Sequence, residues 1–431
     1  METSINQVAL QEKWAPVLDS GNAINDSHRR AVTAVVLENM EKQQAQESAQ
    51  INEVAANVTG THVDNWDPVL ISLVRRATPA LLAFDLVGVQ PMTGPTGLIF
   101  AMKSAYTTQN GTEALFNDAD TGFSGVANAS ELDSSDPFAG DTATVGGAAA
   151  GVDDDDTVDD YTPGAGMTTA AAEALGNTGN AFAEMAFSID KTTVTAKSRA
   201  LKAQYTIELA QDLKAVHGLS AETELANILS TEILAEMNRE IIRNINLKSV
   251  TSTVAADGQL DITATADNGG GRWLIERIKG MVFAMEKEAN IIATSTRRGK
   301  GNWAIVSHGV AAALNAAGMM DTGLGLSGPA NFDSDATGSL LAGTMTGGMK
   351  VYIDPYASVD YFTIGYKGAN PYDAGMFYCP YVPLSMMKTI GENDFQPKIG
   401  FKTRYGLADN PFVTAGPGAN VYYRKRKVMN L

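Results

Sequence analysis

The chain has few of the residues on which metal and thiol chemistry depend. Its 431 residues include a single cysteine, Cys379, and four histidines, His28, His62, His217 and His308. A lone cysteine excludes an intrachain disulfide and favours a reducing compartment, where we expect Cys379 to be a buried structural thiol. The histidines lie far apart in the sequence without metal-ligand spacing, so they predict surface or core positions and no metal site.

Long apolar runs and a targeting segment are also missing. No stretch approaches the roughly 18 apolar residues that a membrane-spanning helix needs. The N-terminal METSINQVALQEKW has neither a basic start nor an apolar stretch. The sequence therefore predicts no membrane partner and no secretion. An apolar content of 44% in 431 residues is nevertheless enough for a sizeable folded core.

Positive charge is scarce and unevenly placed. The 32 Lys and Arg against 49 Asp and Glu give a net charge of -17, which opposes sequence-independent binding of nucleic acid because such binding needs clustered cations. The segment Ser104 to Asp190 contains no Lys or Arg but sixteen Asp or Glu. Its run DDDDTVDD at 153–160 is either a solvated acidic loop or a calcium ligand, although it lacks the spacing and glycine of a calcium-binding helix-loop-helix.

Catalytic and cofactor motifs are absent as well. GTMTGGMK at 343–350 approaches a phosphate-binding loop, but Met349 separates the last glycine from Lys350, and no Ser or Thr follows to hold magnesium. RRGKGN at 297–302 lacks the flanking strand and helix of a nucleotide loop, and no Gly-x-Ser-x-Gly elbow occurs. The sequence predicts no enzyme and no cofactor. An acidic enzyme with an unrecognised site remains as an alternative.

Two apolar periodicities predict long helices. From Ala221 to Asn246, apolar residues recur at every fourth position, and Ser220 is expected to cap the helix. The predicted core face comprises Leu225, Leu229, Ile233, Met237, Ile241 and Ile245, widened by Ile228, Leu234 and Ile242. A second helix is predicted within 271–295, with Leu274 at the start of its apolar face.

The N-terminal region, residues 1–53, is distinct from the rest. Ala31, Val35 and Met40 lie on one helical stripe that fades into the polar EKQQAQESAQ. Such a helix has too little apolar surface to be stable alone, so we expect it to pack on a partner or on its own copies.

The C-terminal third alternates polar with aromatic and β-branched residues, which is typical of strands. Strands are predicted within 350–368, 375–387 and 398–407, with a last strand in 421–431. The cations of this last segment, including Arg424 and Arg426, either bind a polyanion or pair with carboxylates of a neighbouring chain. The acidic balance of the protein favours the second interpretation.

Several long blocks resemble one known family. They are RRATPALLAFDLVGVQPMTGPTGLIFAMKSAY (75–106), KSRALKAQYTIELAQDLKAVHG (197–218), YFTIGYKGANPYDAGMFYCPYVPL (361–384) and FQPKIGFKTRYGLADNPF (395–412). These blocks closely resemble the major capsid proteins of contractile-tailed phages related to the T-even coliphages. The resemblance extends from about Arg75 to the C-terminus, outside the acidic segment.

The resemblance implies an α+β fold of the tailed-phage, Hong Kong phage type. This fold has an N-terminal arm, an extended loop, a peripheral domain with a long spine helix, and an axial domain. The implied limits are a propeptide at 1–53, the arm at 54–97, the extended loop at 98–207 with an acidic insertion at about 107–183, the peripheral domain at 208–300, and the axial domain with returning peripheral strands at 301–431. The segments 98–106 and 186–207 are expected to form the two sides of the loop.

The resemblance also implies proteolytic processing. Relatives lose an N-terminal propeptide, which the prohead protease removes after Glu in an Ile/Leu-x-Glu context. Ile51, Asn52 and Glu53 match that context, and Val54 would become the new N-terminus. A three-residue motif is common by chance, but this one lies between a polar helix end and a Gly- and Asn-rich stretch that a protease could grip.

The implied function is a shell protein of the virion, assembled in the host cytoplasm. Hexamers of the chain would form an icosahedral head that encloses DNA without binding it specifically. The implied partners are copies of itself, a vertex pentamer protein, scaffold and prohead protease during assembly, and outer decoration proteins. Two alternatives remain, namely the pentamer-forming vertex paralogue and an encapsulin-type compartment shell, against which the propeptide argues.

Overall fold

The structure is a computed structural model, and it describes fourteen stretches of the chain. They are residues 2–19, 26–51, 81–111, 113–115, 123–124, 167–177, 181–252, 258–262, 273–321, 340–345, 347–370, 372–391, 396–412 and 416–431. The chain divides into two compact units, the larger comprising Met1–Ile99 with Thr192–Leu431 and the smaller Phe100–Lys191. The capsid domain limits expected from the resemblance remain a prediction.

The described residues form the following helices. They are α1 (Glu2–Leu18), α2 (Ser27–Ile51), α3 (Ala83–Leu86), α4 (Thr169–Glu173), α5 (Ile207–His217), α6 (Ala221–Lys248), α7 (Leu274–Thr296) and α8 (His308–Ala316). The two long helices predicted by periodicity are therefore present as α6 and α7.

Strands make up most of the rest of the described chain. They are β1 (Gly88–Val89), β2 (Thr96–Tyr106), β3 (Glu113–Ala114), β4 (Met185–Thr195), β5 (Lys197–Gln204), β6 (Ser249–Thr251), β7 (Gln259–Asp261), β8 (Trp303–Ser307), β9 (Met320–Asp321), β10 (Leu340–Met345), β11 (Lys350–Asp354), β12 (Tyr361–Gly365), β13 (Met376–Ile390), β14 (Pro397–Asp409) and β15 (Asn420–Met429). The strands predicted for the C-terminal third are confirmed.

These strands pair into three sheets. The first has the order β1-β13-β14-β5, in which β1 is parallel to β13 and the remaining pairs are antiparallel. The second has the order β6-β15-β12-β8-β11-β10-β9, and β7 also pairs with β15. The third is a ribbon with the order β3-β2-β4.

Helix α6 packs one apolar face on the core of the larger unit. Apart from Ala221, its buried apolar residues are Ile233, Leu234, Met237, Ile241, Ile242 and Ile245. They share a cluster with Tyr378 and Leu384 of β13 and with Phe401 and Tyr405 of β14. Glutamates in its first turn and Lys248 in its last turn complement the helix dipole.

Parts of the helix predictions are wrong. Ile228 was expected on the core face but is 61% exposed, because between Ala221 and Ser230 no residue of α6 is buried. Leu274 is likewise exposed, since burial in α7 begins at Ile278, one turn later. Ser220 occupies the N-cap position of α6, but its side chain makes no capping hydrogen bond.

A second part of the core lies between α7, α8 and the largest of the described sheets. Its cluster includes Met281, Met285, Ala289 and Ile292 of α7, Val310 and Leu314 of α8, and Ala304, Val306, Val351, Phe362 and Ile364 of the strands. The strands β8 and β12 are buried along nearly their whole length, which matches their almost continuous apolar sequences.

The N-terminal helices do not need another chain for burial. Helices α1 and α2 enclose a small cluster of Trp14, Leu18, Ala34, Leu37 and Met40. The opposite side of α2 places Val32 and Val36 in the same cluster as α6 and β13. The expectation of packing on a partner or on other copies is therefore corrected, because the chain itself supplies the apolar surface.

Residues 186–207, expected to form the second side of the extended loop, also differ from that expectation. Strand β4 lies next to β2, whereas β5 pairs with β14 and places Leu201 opposite Phe401. Leu201 packs against the core cluster there, so burial favours pairing with β14 over continuation of the ribbon. Ile207, the expected end of the loop, is the first residue of α5.

Candidate processing site and assembly surface

The predicted processing site follows helix α2 in the sequence. Ile51 is the last residue of α2, whereas Glu53 and Val54 lie outside the described residues. The acidic run 153–160 also lies outside the described residues.

The ribbon of the smaller unit carries a row of exposed apolar side chains. Phe100 and Met102 of β2 are 63% and 69% exposed. Met185, Phe187 and Ile189 of β4 are each more than half exposed. Apolar residues at alternate positions of a strand share one face. We call these five residues the ribbon face.

Backbone hydrogen bonds place the two strands in register. Thr107 N donates to Glu184 O at 2.9 Å, and Ala196 N donates to Pro95 O at 2.9 Å. This antiparallel register puts the exposed residues of β2 and β4 on the same face. The sequence analysis missed the ribbon face, although the alternation in GLIFAM and MAFSID is a signal that could have revealed it.

The opposite face of the ribbon is small and polar. Ala101 and Ala105 are buried there, and Lys103 pairs with Asp190 at 2.7 Å. The ribbon thus has two chemically different faces, of which one is made largely of exposed apolar side chains.

Ion pairs connect α6 to the first sheet. The guanidinium of Arg199 on β5 donates to Glu236 at 3.1 Å and to Glu240 at 2.8 Å. The same guanidinium donates to the Tyr405 hydroxyl at 2.6 Å, and this hydroxyl donates to Glu240. Burial, together with the hydrogen bond to Glu240, raises the pKa of Tyr405 above its ordinary value. The network fixes β5 and β14 against the helix.

A second network connects α6 to the other sheet of the larger unit. Arg239 donates to the buried Asp354 at 2.7 Å and 2.8 Å, and Tyr361 donates to the same carboxylate at 2.6 Å. Burial and the hydrogen bond to Asp354 raise the pKa of Tyr361 above its ordinary value. Because one guanidinium nitrogen contacts both oxygens of a buried carboxylate, this charge-assisted contact restricts sliding of the helix along the sheet.

Arg424 and Arg426 were expected to pair with carboxylates of a neighbouring chain, but they pair within their own chain. Both are buried, and Arg424 donates to the carboxylate of Glu288 on α7 at 2.5 Å. Arg426 lies 3.9 Å from the same carboxylate, which also accepts a hydrogen bond from the Ser252 hydroxyl. The expectation of a neighbour's carboxylate is wrong because Glu288, which is 1% exposed, supplies the charge within the chain.

The histidines and acidic residues of the described chain form no grouping of three or more His, Cys, Asp or Glu that could hold a metal. Burial, with a contribution from the nearby Lys367, lowers the pKa of His28. His62 lies outside the described residues. In the same part of the chain, none of the helices combines the length and the apolar character that crossing a bilayer demands.

The comparison with known families identifies the chain. A sequence model of the family described as Major capsid protein Gp23 matches residues 63–428. The chain belongs to this family of phage capsid proteins. The resemblance to T-even major capsid proteins is thereby confirmed, and with it the α+β tailed-phage capsid fold. This capsid protein is a structural component of the shell of the virion.

Curated relatives match the capsid protein along most of its length. It is 40% identical to the major capsid protein of Salmonella phage ViI over 413 residues, which cover 94% of this chain and 90% of the relative. It is 37% identical to the major capsid protein of Enterobacteria phage T4 over 487 residues, which cover 95% of this chain and 93% of the relative. The capsid vertex protein of the same phage is 27% identical over 250 residues, which cover 54% of this chain and 55% of the vertex protein. The vertex-paralogue and encapsulin alternatives are therefore set aside.

Solved structures similar to the capsid protein include those of phage particles. One is Mycobacterium phage Bobi, with a TM-score of 0.40, 10% identity and coverage of 89% of this chain and 97% of that chain. Another is the capsid of Myoviridae Phage XM1, with a TM-score of 0.39, 6% identity and coverage of 88% and 98%.

Cys379 of the capsid protein is buried on β13, as expected for a structural thiol. Burial raises the pKa of this thiol to about 12. Since the thiolate is the nucleophile, the native thiol is expected to react with iodoacetamide at pH 8 at least roughly a hundredfold more slowly than the thiol of the chain unfolded in denaturant. Mass spectrometry of timed reactions measures both rates. Equal rates would contradict the burial of Cys379.

Proposed function

We propose that this capsid protein forms hexamers that build an icosahedral head shell around DNA, after a precursor has been cut following Glu53. The observation that carries the proposal is the ribbon face. Each large apolar side chain moved from water into an interface contributes about 1.5–3 kcal/mol. A contiguous exposed apolar patch typically marks a protein interface. In a shell made of many copies of one chain, each copy has neighbours that can cover its ribbon face.

The charge of the protein supports a shell that holds DNA without recognising it. A net charge of -17 gives no general attraction to phosphates. Arg424, Lys425 and Arg426 of the last strand are engaged within the fold, as the contact between Arg424 and Glu288 illustrates. DNA is therefore expected to be confined by the closed shell and not by specific contacts.

Assembly would involve the further partners expected from the resemblance. A vertex pentamer protein would close the corners, scaffold and prohead protease would act on the precursor, and decoration proteins would bind the outer surface. Electron microscopy of particles made from the cloned chain and these partners tests this arrangement. Tubes or shells with hexagonal lattices support it, whereas a monomer at all concentrations and with all partners would exclude it.

The cut after Glu53 is tested by the variant Glu53→Gln. A protease that selects glutamate must offer a positively charged partner, which a neutral amide would leave unpaired. We therefore expect cutting at this bond to fall at least roughly a hundredfold, with assembly of the precursor retained. Intact-mass measurement of the capsid protein from particles should show a chain beginning at Val54 for the parent sequence and an uncut chain for the variant.

The matched control is Glu47→Gln, which removes a nearby glutamate that has alanine and not isoleucine two residues before it. This variant should be cut like the parent sequence. Parent particles with an intact N-terminus would exclude processing at Glu53, and so would normal cutting of Glu53→Gln.

A further inference from the structure

A groove of the larger unit is covered by helix α2. It is lined by Leu81, Phe84, Leu234, Met237, Tyr378 and Leu384. Val32, Thr33 and Val36 of α2 face these residues, and a cavity of about 40 Å³ remains between the two surfaces. The groove therefore already binds one amphipathic helix, and the fit leaves unfilled space.

Polar contacts anchor both ends of this part of α2. The side-chain amide of the buried Asn39 donates to the carbonyl of Met92 at 2.8 Å and to that of Tyr381 at 3.0 Å. At the other end, Arg29 donates to Asp85 at 2.7 Å. These contacts fix the position of the helix along the groove, because a shift of one turn would break all of them.

The same arginine also contacts an aromatic ring of the groove. The guanidinium of Arg29 lies 5.3 Å from the centre of the Phe84 ring, which is a favourable cation–π geometry. The groove thus recognises an apolar helical face together with a cation and an amide.

The N-terminal helices are held together independently of the groove. Lys13 of α1 pairs with Glu38 at 2.8 Å and with Glu41 at 2.6 Å. Arg30, next to Arg29, pairs with Asp19 at 2.6 Å. Together with the cluster around Trp14 and Leu37, these contacts make α1 and α2 a hairpin whose own core is separate from the groove.

We propose that the groove is a helix-binding site whose ligand is this hairpin, held by non-covalent contacts that survive a break in the chain after residue 53. The role of this helix-binding site during maturation rests on the proposed cut after Glu53. The cut would then not release the hairpin by itself. Release would be a separate step that uncovers the apolar groove residues, and a chain that keeps the hairpin bound would keep that surface covered.

The test uses the full chain with a recognition sequence for a site-specific protease inserted between Glu53 and Val54. After cutting, size-exclusion chromatography of unassembled chain at micromolar concentration measures the fraction of hairpin that co-elutes with the large fragment. We expect most of the hairpin to remain bound. A dye that fluoresces on apolar surfaces should show little change on cutting and should brighten when the hairpin is lost.

Neighbouring residues provide matched variants. Arg29→Ala removes contacts with the groove, so we expect the dissociation constant of the cut hairpin from the large fragment to rise roughly tenfold. Asn39→Asp keeps the shape but points a carboxylate at two carbonyl oxygens, so we expect a rise of more than about a hundredfold. Arg30→Ala affects a contact inside the hairpin and should leave retention within about twofold of the parent chain.

Two results would overturn the proposal. One is immediate loss of the hairpin from the cut parent chain at micromolar concentration. The other is equal retention of the Arg29→Ala, Asn39→Asp and Arg30→Ala chains. Because the cut is engineered, either result is independent of whether the natural protease acts after Glu53. An uncut N-terminus in particles would in turn refute the processing proposal and leave the groove measurement valid.

Discussion

Replacing Ile241 with aspartate is expected to prevent folding of the capsid protein. Ile241 is 1% exposed and lies in the cluster that α6 shares with the first sheet. A carboxylate at this position loses its hydration without gaining a partner, which we expect to cost more than about 4 kcal/mol. Domains are stable by only about 5–15 kcal/mol. Expression should therefore yield insoluble chain and no particles.

Ile228→Asp is the matched control, since it changes the same residue type in the same helix. Ile228 is largely exposed, so the unassembled chain should remain soluble with a stability within about 0.5 kcal/mol of the parent. Fractionation of lysates, followed by circular dichroism of the soluble protein, compares the two variants. Soluble, folded Ile241→Asp would contradict the packing of α6, and an insoluble Ile228→Asp would contradict its exposure.

Glu288→Gln is expected to have the second-largest effect. This nearly isosteric change removes the negative charge that faces Arg424 and Arg426 between α7 and β15. The buried Arg424 would then lose the carboxylate to which it donates, and breaking a buried ion pair from one side costs about 3–5 kcal/mol. The urea midpoint of the unassembled chain should fall markedly, with little change in its fluorescence spectrum before unfolding.

Glu286→Gln is the control on the same helix. Glu286 pairs with Lys300 at 2.5 Å, and both side chains are partly exposed, at 26% and 38%. Solvent screens such a pair, so the loss should stay below about 1 kcal/mol. Similar urea midpoints for Glu288→Gln and Glu286→Gln would show that the buried cluster does not stabilise the fold.

Periodicity and composition were reliable where one pattern covered many residues. The fourfold repeat predicted α6, and the alternation in the C-terminal third predicted β11 to β15, because helix and strand periods follow from local backbone geometry. The long sequence blocks identified the family. The Ile51 to Glu53 motif remains a prediction from the sequence, since Glu53 lies outside the described residues.

Local patterns were less reliable for the ends of elements and for partners. Ile228 and Ile242 both belong to the residues expected to widen the apolar face of α6, yet Ile228 is exposed and Ile242 is buried. The difference arises because the sheets lie beneath only part of α6. The ribbon face was missed for the converse reason, since alternation alone does not say which face of a strand remains uncovered.

By itself, the sequence determined the capsid family, the absence of an intrachain disulfide, the acidic balance of the chain and the main helical and strand segments. These properties depend on composition, on the regular spacing of apolar residues, or on long ordered blocks of residues. Only the tertiary structure decided that β5 leaves the ribbon for β14, that Glu288 neutralises Arg424 and Arg426, and that α2 fills a groove of its own chain. Each of these outcomes depends on which residues, distant in the sequence, compete for the same buried surface, and that competition is settled only when the whole chain packs.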